Sequence, residues 1–305
     1  MQQPIRIGTR DSKLALWQAH TVQALLEKIG LPTELVAVKS EGDLDLVTPL
    51  YAMGVQGVFT KTLDAFLLSN KIDIAVHSLK DVPTQMAQGL VQAAVLPRAD
   101  YRDLFVPHPE AKELGHALIA TGSVRRKAQW LNRYPKSEIE NLRGNVQTRM
   151  RKLAESKWDG AIFAAAGLDR MELRPSNAQI LDWMLPAPAQ GAVMVACRAG
   201  DQDILDACAQ FNDANTARCV QIERDFLKTL MGGCSTPISA LAQIQEDRVV
   251  FEGNILTVDG TQKMELTRTC SLSDADQVGI IWAKELLAMG ADKIVASIRN
   301  FEQNV

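Results

Sequence analysis

The sequence predicts an α/β protein, with two doubly wound lobes followed by a small C-terminal α+β domain. Three observations predict it. Up to Phe211, short continuous apolar runs alternate with segments of helical period, the pattern of strands buried on both faces of a parallel sheet. Leu185-Pro186-Ala187-Pro188-Ala189 breaks that alternation, and one more strand and helix follow, so the chain crosses to a second lobe and returns. From about Asn215 the grammar changes to a long helix and three alternating segments.

In chain order, Ile5–Thr9 reads as a buried strand, and Ser12 or Asp11 caps the helix after it. Leu14, Trp17, Leu25 and Ile29 recur there at helical spacing until Gly30-Leu31-Pro32 stops it. Glu34–Val38 completes a βαβ unit, with Arg10 and Ser12 at the strand-to-helix turn. Residues 40–60 carry no clean period and read as a long loop. Lys61–Leu68 is helical, Asp73–Val76 is a strand running into His77-Ser78-Leu79-Lys80-Asp81-Val82-Pro83, and Leu90–Leu96 is another strand. After Arg98 a second cycle begins. Leu118–Ala120, Ile139–Leu142 and Ala161–Ala164 are its strands, and Val124–Arg133 and Val146–Ser156 its helices. Ala192–Cys197 and Ile204–Phe211 return to the first lobe. Lobe 1 is then 1–97 and 192–211, lobe 2 is 98–187, the hinge is 188–191, and a cleft is expected between the lobes.

The last domain, 214–305, opens with a helix to Leu230 that ends at Gly232-Gly233. Strands at Ile238–Ile244, Val249–Leu256 and Met264–Cys270 follow, with Asp259-Gly260 as a hairpin turn. Asp276–Met289 reads as a helix capped by Ser273 or Asp274 and stopped by Gly290.

Composition bounds the function. With 305 residues, 47% apolar and 23% charged, the chain is an ordinary soluble globular protein. Its net charge of −3 argues against general nucleic-acid or membrane-surface binding. No apolar run is long enough to span a bilayer, and the start lacks a signal core, so a cytoplasmic protein is expected. The five cysteines contain no C-x-x-C pair, which fits reduced thiols and neither a disulfide frame nor a zinc site.

Within this mildly acidic chain, Thr121–Lys152 is crowded with cations. Three strand-to-helix turns carry one kit of hydroxyl or amide donors, free backbone N–H groups and Arg. They are Arg10-Asp11-Ser12, Thr121-Gly122-Ser123 with Arg125-Arg126, and Arg143-Gly144-Asn145 with Arg149. Neither G-x-x-x-x-G-K-[ST] nor G-x-G-x-x-G is present, so an anion other than a nucleotide is expected. Asp81, beside Lys80 at a strand end, would be a charged carboxylate among these arginines. It could accept an N–H or stabilise a developing cation, but not readily give a proton. Cys234, between Gly232-Gly233 and Ser235-Thr236-Pro237, reads as a loop thiol, whereas Cys197 and Cys208 read as buried and inert.

Taken in order, these residues resemble the porphobilinogen deaminase (hydroxymethylbilane synthase) family over essentially the whole chain. The most specific pieces are Ile7–Ser12 with Leu14–Gln18, Asp73–Pro83, Leu142–Val146, Gln190-Gly191-Ala192 and Gly232-Gly233-Cys234. The resemblance implies lobes like those of periplasmic binding proteins. It also implies a transferase that joins four porphobilinogen molecules head to tail, releases ammonia, and hydrolyses off a linear tetrapyrrole for haem biosynthesis. It implies a dipyrromethane cofactor held by a thioether to Cys234. Asp81 is implied as the catalytic carboxylate that holds pyrrole N–H groups and stabilises the azafulvene cation. Arg10, Arg125, Arg126, Arg143, Arg149 and Arg170 are implied as carboxylate ligands, with Ser12, Lys80, Thr121 and Ser123 beside them. Gln18, Phe59, Arg98 and Gln190 are implied as further binding residues, residues 42–60 as a mobile loop, and the protein as a monomer. The chain departs from the family pattern at Val55-Gln56-Gly57, where Gly-Lys-Gly is frequent, and at Gly122, where Ser is commoner. Ser235-Thr236 is a milder variation. Two other readings compete. A polyanion-binding protein without turnover has no need of the loop thiol. An RNA binder has too few aromatics in the basic stretch, only Trp130 and Tyr134.

Overall fold

The computed structural model describes residues 3–39, 57, 59–108, 116–230 and 236–303, the last four as backbone only. In chain order the strands are β1 (Ile5–Arg10), β2 (Thr33–Val38), β3 (Ile74–Ser78), β4 (Leu90–Val95), β5 (Asp103–Pro107), β6 (Leu118–Ala120), β7 (Glu138–Glu140), β8 (Gly160–Ala164), β9 (Gln179–Ile180), β10 (Val193–Arg198), β11 (Ile238–Gln245), β12 (Arg248–Leu256) and β13 (Lys263–Ser271). The helices are α1 (Lys13–Lys28), α2 (Lys61–Leu68), α3 (Val124–Arg133), α4 (Val146–Glu155), α5 (Ala165–Asp169), α6 (Gln202–Ala209), α7 (Ala214–Thr229), α8 (Val278–Leu286) and α9 (Asp292–Gln303). They form two compact units. One holds the described residues up to Ala99 together with Gly191–Arg218; the other holds Asp100–Gln190 and everything from Cys219 on.

The first unit carries a five-stranded sheet in the order β2-β1-β3-β10-β4. β1 pairs parallel with β2 and β3, so α1 must cross over one face, where Ala19, Val22 and Leu26 meet Ile7, Ile74 and Val76 in the core. β10 runs antiparallel to both neighbours, with Val193 opposite Ser78 and Met194 opposite Val95. The second unit repeats this design in the order β7-β6-β8-β5-β9. There β5 is the antiparallel strand, with Asp103 opposite Ala164. The expected wholly parallel sheets are therefore mixed ones. The reason lies in the chain path. β5 and β10 are the first strands after the chain passes from one unit into the other. Each starts beside the carboxyl end of a parallel strand, so it can only run back.

The second unit also contains the antiparallel sheet β11-β12-β13. The side chains of Val249, Phe251 and Ile255 alternate onto one face of β12 and pack with Phe226 of α7 and with Trp282 and Leu286 of α8. Gly253 lies on that face, where a Cβ would stand 2.7 Å from the Phe226 ring and 2.8 Å from Phe251. The 259–260 turn joins β12 to β13, with Gly260 at φ 74°. The C-terminal helix differs from expectation at both ends. It starts at Val278 after Gln277 at φ 58°, without a side-chain cap, because Asp274 is engaged by the Ser271 and Ser273 hydroxyls. Gly290, at φ 116°, bends the chain in a wide turn rather than ending it. Helix α9 resumes because Ile294 and Ile298 belong to the same core.

No helix among the described residues is long and apolar enough to cross a membrane.

Candidate functional site

In the first unit, the site residues follow the carboxyl ends of parallel strands, where an open α/β sheet leaves its loops free to bind. Arg10 is the last residue of β1. Its guanidinium carbon stands 4.2 Å from the centroid of the Phe59 ring, so the stacked cation keeps its plane and charge while losing freedom. Ser12 is the N-cap of α1 and accepts from the Ala15 N–H at 3.4 Å. Gln18, one turn further and buried, donates from Nε2 to the Ser78 hydroxyl at 2.8 Å, tying α1 to the end of β3. Immediately past Ser78, Leu79–Asp81 forms one turn of 3-10 helix pinned by buried Leu79, so Lys80 and Asp81 project from a fixed turn. Burial, and then the nearby Arg10 charge, push the His77 imidazole in β3 down to about 4. Arg98 lies past β4, and its backbone N–H donates to the Thr216 hydroxyl at 3.1 Å.

In the second unit, two N-terminal helix turns lie against each other. The Thr121 N–H donates to the Glu140 carbonyl, and the Gly122 backbone approaches Leu142 so closely that a Cβ would lie 2.6 Å from the Leu142 carbonyl oxygen. Gly122, a departure from the family pattern, thus matches a space with no room for a side chain. Ser123 caps α3 by accepting from the Arg126 N–H at 3.4 Å, and its own N–H donates to the Thr121 hydroxyl at 3.3 Å. Asn145 caps α4 more tightly, accepting from the Thr148 N–H at 2.9 Å. Between them Gly144 takes φ 114°, a conformation that favours glycine. Arg143 is buried within this junction. Lys152 donates to the Arg143 carbonyl and Arg149 Nε to the Gly144 carbonyl, so one expected ligand, Arg149, and its neighbour Lys152 brace the loop that carries another, Arg143. Arg170 ends α5 just past β8, and burial pushes it down to about 10, still a cation at neutral pH.

The densest part of this unit is a carboxylate that sequence reasoning missed. Asp103, fully buried at the start of β5, accepts from Arg125 Nη2 at 2.7 Å, from Arg126 Nε and Nη2 at 3.1 and 2.8 Å, and from Gln190 Nε2 at 2.8 Å. Arg125 Nη1 donates to the Leu185 carbonyl and Arg126 Nη1 to the Ile162 carbonyl. Gln190 Nε2 also donates to the Tyr101 carbonyl at 2.7 Å. Burial alone would raise the Asp103 carboxyl, but the Arg125 and Arg126 charges outweigh it and hold it down to about 2. Two guanidiniums against one carboxylate leave this cluster a net positive charge. The Arg125 Nε–H is buried with no hydrogen-bond partner among the described residues. An oriented, desolvated donor of that kind suits an anion. The only signal available in the sequence was an Asp in Tyr101-Arg102-Asp103-Leu104, a stretch to which the sequence reading assigns no element.

Cys234, in the segment 231–235, and most of the loop 40–60 lie outside the described residues. Cys197 and Cys208 are buried, and burial raises their thiols to about 11 and about 12, so both stay protonated and inert. Among the described residues no group of His, Cys, Asp and Glu could hold a metal ion.

The chain matches two family models. One is described as porphobilinogen deaminase, dipyromethane cofactor binding domain, over residues 5–206, and the other as porphobilinogen deaminase, C-terminal domain, over 217–288. It is 43% identical over 302 residues to the porphobilinogen deaminase of Syntrophotalea carbinolica, covering 96% of each chain. It is 40% identical over 308 residues to that of Acidithiobacillus ferrooxidans, covering 98% of this chain and 100% of the other. Among solved structures, it is 10% identical to an arginine transport system periplasmic binding protein from Legionella pneumophila. That match covers 68% of this chain and 92% of the other at a TM-score of 0.42.

Proposed function

The chain belongs to the porphobilinogen deaminase family, and from that membership we propose how its own residues carry the reaction. The reaction polymerises porphobilinogen into hydroxymethylbilane for tetrapyrrole biosynthesis: four molecules join head to tail with loss of ammonia, and hydrolysis frees the linear product. Each pyrrole carries an acetate and a propionate, so the growing chain is a polycarboxylate. The matching ligand set is Arg10, Arg125, Arg126, Arg143, Arg149 and Arg170, whose planar forks grip carboxylates in a way lysine does not. Ser12, Thr121 and Ser123 supply hydroxyls, Lys80 and Arg98 further positive charge, and Gln18 and Gln190 amides. Phe59 holds Arg10 flat.

The residues present fit a dipyrromethane, itself a tetracarboxylate. The observation behind this is the buried Arg125 Nε–H, without a partner among the described residues, beside a cluster of net positive charge. Cys234 would hold the group through a thioether. When bound, the group supplies the free pyrrole carbon to which the first substrate couples. Asp81 accepts hydrogen bonds from pyrrole N–H groups. It also offsets the positive charge that each substrate develops as ammonia leaves. Its place on a pinned 3-10 turn supports this role, because a preorganised carboxylate need not reorganise during the step. Residues 1–97 and 192–211 serve as one lobe, 98–187 as the second, 188–191 as the hinge and 214–305 as the cofactor-anchoring domain. The protein acts as a cytoplasmic monomer on a small molecule, without nucleic acid or membrane.

The family match over nearly the whole chain carries this conclusion. Incubation of the purified protein with porphobilinogen tests it. Ammonia and a linear tetrapyrrole should appear in a ratio of about four to one; binding of substrate with no ammonia release would refute it.

A further inference from the structure

Asp103 touches three of the proposed ligand-binding residues, and the geometry of those contacts carries more than a structural ion pair requires. Its two oxygens divide the work. Oδ2 takes Arg125 Nη2, while Oδ1 takes both Arg126 Nε and Nη2 and also Gln190 Nε2. Every one of these groups is at least nine-tenths buried. Two adjacent guanidiniums in such a place repel each other, and without a counter-charge at least one would rotate away toward water. With Asp103 between them, the backbone carbonyls of Leu185 and Ile162 fix one arm of each fork. The donors left over are held in place, among them the Arg125 Nε–H. Asp103 follows closely on the segment by which the chain enters the second unit, and Gln190 is the last residue before it leaves. One carboxylate therefore fastens both connecting segments to the arginine pair.

We propose that Asp103 is a positioning residue for substrate handling, orienting Arg125, Arg126 and Gln190 as one preorganised carboxylate receptor. It acts through those three side chains and touches no substrate itself. The proposal rests on the assignment of the arginines as ligands of the pyrrole carboxylates.

A matched comparison separates positioning from mere stability. Asp73 is a similar carboxylate in the first unit, gripped by Arg6 Nε and Nη2 and by Arg198 Nη2, and none of these residues belongs to the proposed site. Asp103→Asn and Asp73→Asn would be prepared as holoproteins, and thermal unfolding, kcat and KM for porphobilinogen measured for each. Both variants should melt below the wild type. Only Asp103→Asn should raise KM, by about tenfold or more, with kcat held within about threefold. Asp73→Asn should keep both constants. Asp103→Glu provides a second route should the Asn variant fail to fold. It keeps the charge but moves the forks by one methylene, and should fold with KM raised severalfold. A folded Asp103→Asn or Asp103→Glu protein with wild-type KM, or an Asp73→Asn protein with the same rise in KM, would overturn the proposal. The functional reading fails separately, by absence of turnover in the wild type. The ligand assignment also fails on its own, if folded Arg125→Ala and Arg126→Ala proteins keep wild-type constants.

Discussion

Lowering the pH from 7 to 5 should cost the folded protein about 2 kcal/mol through His77 alone. His77 lies in β3, the strand that leads into the Asp81 turn, and only 6% of it is exposed. Burial, with Arg10 adding to it, holds the imidazole down to about 4 against an ordinary value of 6.5. The folded state thus refuses a proton that the unfolded chain accepts. For a depressed group, this stability is present in full above the unfolded value and is lost as pH falls from about 6.5 through about 4. At pH 5 the unfolded imidazole is nearly all protonated and the folded one nearly all neutral. At ~1.4 kcal/mol per unit, the loss between pH 7 and pH 5 comes to about 2 kcal/mol. Asp103, held down to about 2, stays ionised across this window and does not contribute. Urea unfolding of the wild type and of His77→Asn at both pH values isolates the effect, because every other titration is common to the two proteins. The wild type should lose about 2 kcal/mol more than the variant. Parallel losses in the two proteins would refute the assignment of a buried, neutral His77.

Two other perturbations address the site and the core. Asp81→Ala should leave the urea midpoint within error, since the turn is held by Leu79, yet reduce ammonia release by at least about a hundredfold; near-normal turnover would remove Asp81 from the chemistry. Gly253→Ala puts a methyl 2.7 Å from the Phe226 ring in a fully packed core and should destabilise by roughly 1–3 kcal/mol. An unchanged melting temperature would show that the rings of Phe226 and Phe251 shift freely.

The sequence was most legible where period and punctuation agree. Helices α2 and α3 occupy the segments their spacing predicts, and the carboxyl ends of β1, β3 and β6 carry the expected residues. What could not be read depends on distant partners. β5 falls in a stretch to which the sequence reading assigns no element, and its place as a strand is fixed by pairing with β8 and β9. Its first residue, Asp103, became visible as a hub only once Arg125, Arg126 and Gln190 were brought to it from 22, 23 and 87 residues away. The failed cap at Ser273 has a similar cause. Local signals favour Ser or Asp at a helix start, but here those side chains satisfy one another before the helix begins. Gly122 shows the converse. As a departure from the family pattern it had no evident purpose, and only the approach of Leu142 explains it.

The most direct measurement is intact mass of the purified protein, before and after incubation with porphobilinogen, with Cys234→Ser alongside. The wild type should exceed its sequence mass by two pyrrole units, map that addition to Cys234, and show further single-pyrrole steps with substrate. The serine variant should carry no addition and form no product. An active wild-type protein of unmodified mass, or an addition that survives Cys234→Ser, would contradict a thiol-anchored, arginine-bound chain of pyrroles.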